Sequence, residues 1–203
     1  MVRIAHRRLT LALSLGVTAV TLMLTTTLVA AQPAEKQSAP PTTSLTPVQS
    51  ADEAYRRGHD FAEKQNYAEA MRWYRLAAAQ GNALAQVGIG NLYGMAQGVP
   101  QDYGEALRWY RLAAAQGNSE AQDNLGFFYM SGWGVPQDYT QALNWFRKAA
   151  AGGNEVAQRN IGMIYLQGLG VAQDRAEAIR WFRMAAEKGD DEAKEALRAL
   201  GAK

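Results

Sequence analysis

The chain of 203 residues contains no cysteine. That excludes thiol catalysis, thiolate metal sites, disulfides and a lipid attached through an N-terminal cysteine. Histidine is nearly as scarce, with only His6 and His59. No His-x-x-x-His pair, Ser/His/Asp set or Walker loop is present, so the sequence predicts no enzyme, no metal and no cofactor. An excess of one charge is also missing: 21 Lys and Arg stand against 19 Asp and Glu. Three of the arginines, Arg3, Arg7 and Arg8, fall in the first 31 residues, which leaves 18 bases against 19 acids. A near-neutral chain gives no electrostatic reason to expect a nucleic-acid partner. After residue 31 there is no Asn-x-Ser/Thr sequon, which points toward a bacterial envelope protein.

The one long uncharged run is "LTLALSLGVTAVTLMLTTTLV", Leu9 to Val29. Arg3, His6, Arg7 and Arg8 precede it and "VAAQ" comes after, the three-part layout of a secretory signal peptide over residues 1–31. A retained membrane anchor is the alternative, since the run is about long enough to span a bilayer. In both readings the membrane is met only through this segment, and the chain beyond it is exported. Four of the six prolines (Pro33, Pro40, Pro41 and Pro47) lie in residues 32–50 among Ser, Thr, Gln and Ala. Such a stretch has little to bury and reads as a linker.

From residue 51 onward the sequence repeats itself. "WYRLAAAQGN" occurs at Trp73–Asn82 and again, unchanged, at Trp109–Asn118. "WFRKAAAGGN" starts at Trp145 and "WFRMAAEKGD" at Trp181, so the tryptophans recur every 36 residues. A fixed period of about 20–50 residues is the signature of a repeat array. One unit, Asn82 to Gly117, divides into two helices. Asn82 caps the first, whose apolar residues Leu84, Ala85, Ile89, Leu92 and Tyr93 have helical spacing. "MAQGVPQ" interrupts the pattern, and Asp102 with Glu105 opens the second helix as a capping-box-like pair. Gly117 ends it, as Gly81, Gly153 and Gly189 end theirs, and Asn or Asp comes next each time to cap the next helix.

Inside the helices, Gly90, Gly126 and Gly162 recur at one register position, although glycine there costs about 1 kcal/mol relative to alanine. Their recurrence predicts contacts with no room for a side chain. Gly58 to Ala70 is shorter than Gly90 to Ala106, so the first pair has a tighter turn. These features predict an all-α solenoid of stacked antiparallel helix pairs over residues 51–203. The units run about 51–81, 82–117, 118–153 and 154–189. A helix at 190–203 puts Ala193, Ala196, Leu197 and Leu200 on one side and so caps the stack.

The pattern is identified as that of the Sel-1-like repeat, a relative of the tetratricopeptide repeat. One copy supplies Ala121, Leu125, Gly126, Tyr129, Gly132, Gly134, Val135, Asp138, Ala142, Trp145, Phe146, Ala149, Ala150 and Gly153. The copy from Ala157 to Gly189 supplies the same series, with Ile161 in place of the leucine. The copy from Ala85 departs at Ala96, where the pattern has glycine, so a different loop is expected there. The resemblance implies a right-handed superhelix acting as an adaptor or scaffold, often exported in bacteria and often tied to envelope machinery. Some cysteine-rich relatives are reported to bind or cleave β-lactams, and this chain has none of their cysteines.

Positions that differ between copies are the candidates for partner contact. By analogy with tetratricopeptide arrays, the varying slots of the first helices line the concave face. Phe127, Met130 and Met163 would form an adaptable apolar patch there, flanked by Asn91, Asp123, Asn124, Arg159 and Asn160. The alternative is that these apolar residues pack on the neighbouring repeat. A second candidate is the ladder Arg75, Arg111, Arg147 and Arg183, in register with the tryptophans and suited to an anionic polymer such as an envelope polysaccharide or peptidoglycan. Acids three residues before bases on the same helices, as in Glu105 and Arg108, offer the competing reading of surface pairs. The expectation is a periplasmic or secreted protein that binds a protein partner of the envelope.

Overall fold

The computed structural model describes residues 50–202. The signal segment 1–31 and the linker to residue 49 lie outside the described residues. Within them the chain is all helix and turn. The order is α1 (Ala51–Glu63), α2 (Tyr67–Ala79), α3 (Ala83–Gly94), α4 (Tyr103–Ala115), α5 (Ser119–Ser131), α6 (Tyr139–Ala151), α7 (Glu155–Gln167), α8 (Arg175–Glu187) and α9 (Asp191–Ala199). Consecutive helices pack on one another along the whole array, from α1 on α2 to α8 on α9. No described helix is long and apolar enough to cross a membrane.

The sequence punctuation works through single residues with two jobs. The backbone N–H of Asn82 donates to the Ala77 carbonyl at 3.1 Å and closes α2. Its side-chain oxygen accepts from the Ala85 N–H at 2.8 Å and opens α3. Asn118, Asn154 and Asp190 repeat both bonds at the later junctions. The glycine just before each of them has positive φ, from 82° at Gly117 to 99° at Gly189. Orphan carbonyls at one helix end and orphan N–H groups at the next are thus satisfied within three residues.

The turn inside the first pair, residues 64–66, is short, as the sequence spacing predicts. Gln65 takes φ 58° to make it. The later turns are longer, and each docks on the preceding second helix. A Cβ on Gly134 would meet the Tyr103 backbone at 3.0 Å, and one on Gly170 would meet Tyr139 at 2.7 Å. The loop after α3 keeps the common geometry despite Ala96, which enters the left-handed region at φ 55° where Gly132 and Gly168 have 73° and 69°. Gln97 then donates to Leu92 as Trp133 does to Phe128. The expected difference in this loop is therefore local strain at Ala96 and not a new path.

The core is a row of clusters, one per repeat. Tyr74, Tyr110, Phe146 and Phe182 form its spine, with both phenylalanines fully buried. Each such ring is worth about 1.5–3 kcal/mol over an exposed one. Trp109, Trp145 and Trp181 each lie partly buried against the cluster of the repeat before their own. The repeated tryptophan therefore ties one unit to its predecessor.

Candidate functional site

The first helices of successive pairs touch directly. α1 contacts α3. Asn160 on α7 donates to the Asp123 carboxylate on α5 at 3.2 Å. Arg159 on α7 pairs with Asp190, the cap of α9, at 2.6 Å and with Glu192 at 3.2 Å. These helices form a continuous layer, and the varying slots read from the sequence fall on it.

Within that layer the candidates divide by surroundings. Phe127 is half-buried, edge-on to Trp133 at 5.1 Å, and packs against the second and third core clusters. Met130 packs on the third cluster and Met163 on the fourth, each still partly exposed. The apolar members thus combine packing on a neighbouring repeat with residual exposure. The polar members interlink. Asn91 accepts from the Tyr110 hydroxyl at 2.7 Å. Asn124 is half-buried on α5. Asp123 is buried at 5% exposure, and burial pushes its carboxyl up to about 7. Asn160 and Arg159 oppose that rise, while Glu120 and Glu155 add to it.

Glu120 on α5 occupies the slot filled by Leu84 and Val156 in the neighbouring copies. Its side chain is exposed, yet its carboxyl is raised by desolvation, with the Asn91 amide beside it favouring the charged form. Its charge bears on Tyr55 of α1, Tyr74 of α2 and Tyr110 of α4. The signal for these groups was faint: tyrosine at 74 and 110 where later copies have Phe146 and Phe182.

The arginine ladder is exposed along its length. Arg75, Arg111 and Arg147 donate to the hydroxyls of Tyr93, Tyr129 and Tyr165 at 3.2, 3.4 and 2.7 Å, each in the next helix. The acid–base pairs expected on these helices form separately, at Glu69–Arg72, Glu105–Arg108 and Glu177–Arg180. Basic groups also cover the tryptophans: Arg108 lies 4.7 Å from the Trp109 ring and Lys148 4.1 Å from that of Trp145. On α1, the ligand atoms of His59, Asp60 and Glu63 approach within 4.8 Å of one another. They lie on an open helix surface where His59 Nδ1 stands 3.8 Å from Glu63, and the pairing needs no ion.

An array of antiparallel helix pairs with one continuous layer of first helices defines a repeat scaffold of the tetratricopeptide-like class, a class used in protein–protein interaction. The chain belongs to the Sel1 repeat family, whose model matches residues 51–82, 83–118, 119–154 and 156–190. A Sel1 repeat protein from Oxalobacter formigenes is 33% identical with a TM-score of 0.71, over 77% of this chain and 68% of that one. The protective antigen c5321 of uropathogenic Escherichia coli, described as displaying an SLR fold, is also 33% identical, with a TM-score of 0.68. That match covers 75% of this chain and 34% of the antigen. Helicobacter pylori cysteine rich protein B shares the fold at 19% identity and a TM-score of 0.52, over 64% of this chain and 93% of that one. No curated protein matches the chain.

Proposed function

We propose that the chain is an exported adaptor of the bacterial cell envelope that holds a segment of a partner protein on the layer of first helices, its concave face. Residues 1–31 serve as the export signal, and the repeat domain works in the periplasm or outside the cell. The observation that carries this reading is the internal contrast between copies. Scaffold positions agree from repeat to repeat, whereas the slots of Asn91, Phe127 and Met163, of Asp123 and Arg159, and of Met130 differ between copies; Asn124 and Asn160 flank them on the same helices. Partly exposed Phe127, Met130 and Met163 supply apolar anchors, and the polar groups around them supply orientation. Crosslinking capture from the envelope, with wild type beside a Phe127→Asp and Met163→Asp form, tests it. Partners held by wild type and lost by the double variant support the concave face; the same partners on both would remove it.

The exposed Arg75, Arg111 and Arg147, held in register by their tyrosines, favour a second reading. They would grip an anionic envelope polysaccharide or peptidoglycan, with Arg183 continuing the row. This predicts salt-sensitive pelleting with cell-wall material, weakened by Arg111→Glu with Arg147→Glu. Pelleting indifferent to both salt and charge would end it.

A further inference from the structure

The loop after α5 follows the same path as its counterparts. The Trp133 backbone N–H donates to the Phe128 carbonyl, as Gln97 does to Leu92 and Leu169 to Ile164. What changes at this slot is the side chain, from Gln97 to Trp133 to Leu169. The Trp133 indole lies against the Tyr103 ring of α4, with centroids 5.0 Å apart and an interplanar angle of 13°. Phe127 of α5 meets it edge-on at 5.1 Å, and Phe128 at 5.7 Å. Phe128 is buried, whereas Tyr103, Phe127 and Trp133 are each only partly buried. The slot of Phe127 holds Asn91 and Met163 in the neighbouring copies, so this aromatic platform arises in one repeat alone. Loop closure does not require it, since the copies with Gln97 and Leu169 close the same way.

The four rings in contact carry no charge. Asp102 and Asp138, which flank them in the chain, are engaged as helix caps by the N–H groups of Glu105 and Gln141. The side-chain amides of Gln101 and Gln137 donate to the carbonyls of Gly94 and Met130. The Trp133 indole N–H makes no hydrogen bond among the described residues and, unlike that of Trp109, is not sealed from water. The platform therefore offers flat apolar rings and one spare donor. A charged guest finds no counter-ion in it. A sugar brings hydroxyls that must donate as well as accept, and the neighbouring carboxylates already serve as caps. An extended segment containing proline suits the platform better. Its pyrrolidine rings pack on aromatic faces, its carbonyls accept, and proline has no N–H to leave unpaired.

We infer that Tyr103, Phe127 and Trp133 receive a proline-containing segment of the partner protein in the polyproline II conformation, with one of its carbonyls accepting from the Trp133 indole; this rests on the adaptor reading and names the chemistry that part of its surface selects. The test uses the full chain and a phage-displayed library of linear peptides. Selected peptides are expected to share prolines one polyproline II turn apart, about three residues. Exchanging those prolines for alanine, or changing the protein by Trp133→Leu, should each weaken binding about fivefold or more, the size of one lost hydrogen bond. Trp133→Leu and Phe127→Asn copy the residues that neighbouring repeats carry at these slots, Leu169 and Asn91, so unchanged melting of both variants separates recognition from folding. Peptides without proline that lose affinity with Met163→Asp and ignore Trp133→Leu would overturn this inference and leave the adaptor reading standing. Proline-rich peptides indifferent to Trp133→Leu would overturn it as well. A library that yields no binder, beside cell-wall glycan fragments that bind wild type and not Trp133→Leu, would overturn both and assign the platform to sugar.

Discussion

The Phe146 ring of α6 occupies the space where a side chain on Gly126 of α5 would begin, since a Cβ there would come within 2.6 Å of Cδ1. Gly90 stands in the same relation to Tyr110, and Gly162 to Phe182. The ring is fully buried and cannot swing aside. Gly126→Ala should therefore destabilise the domain by about 1–3 kcal/mol through overpacking, outweighing the helix propensity it gains. Urea unfolding followed by circular dichroism measures it. A variant as stable as wild type would mean that the close approach is not limiting.

Ala96 supplies the opposite case. It sits at φ 55° where its counterparts are glycines, and a left-handed residue with a Cβ costs about 1–2 kcal/mol. Ala96→Gly should raise stability by about 1 kcal/mol, after the extra chain entropy of glycine is subtracted. Gly132→Ala should lower it by a similar amount, about 1 kcal/mol. Paired thermal melts of the two variants check both signs.

Asp123 sets a pH dependence. Burial holds its carboxyl near 7, well above the ordinary value of about 3.9 in an unfolded chain. Between those values the folded state binds the proton that the unfolded state has released, so stability falls as pH rises through the window and levels off above it. Glu120, raised in the same direction, adds to the slope. Asp123→Asn keeps an acceptor for Asn160 and removes the titration. Denaturation curves from about pH 4 to pH 8 should be flatter for the variant, with the largest gain over wild type at the alkaline end. Equal slopes for the two proteins would refute the assignment.

The array ends at α9. Ala193 and Leu197 are buried on it and join Phe182, Ala178 and Ala185 in the last cluster, while Glu192, Glu195 and Arg198 are exposed. Asp190 both caps α9 and holds Arg159. Truncation after Gly189 should lower the melting temperature and promote aggregation through the uncovered apolar face. Light scattering during the melt reads both, and a truncated form that melts like the intact domain would show that α9 covers nothing of weight.

Most of the scaffold was legible in the sequence because its determinants are local. Asn or Asp after glycine is a cap within one turn of chain, and the recurrence of Trp every 36 residues reports the unit without any knowledge of contacts. The mid-helix glycines announced a close approach, although which ring fills each gap depends on how neighbouring helices cross. The candidate site was legible only in outline. Copy-to-copy variation marked positions on the first helices, but a varying residue can pack on a neighbouring repeat as well as stay partly exposed, as Phe127 does.

The sequence by itself determined the helix pairs of the described residues, their caps and the stacking unit, since each rests on spacing along the chain. Only the tertiary structure decided that the Tyr74 ring packs between Gly58 and Gly88, that the Tyr110 hydroxyl meets Asn91, and that Asn160 reaches the buried Asp123 of the preceding repeat. Those relations join residues far apart in the chain, and their consequences come from desolvation and from the distance between groups. Both are properties of the packed layer, and neither is encoded in the period that builds it.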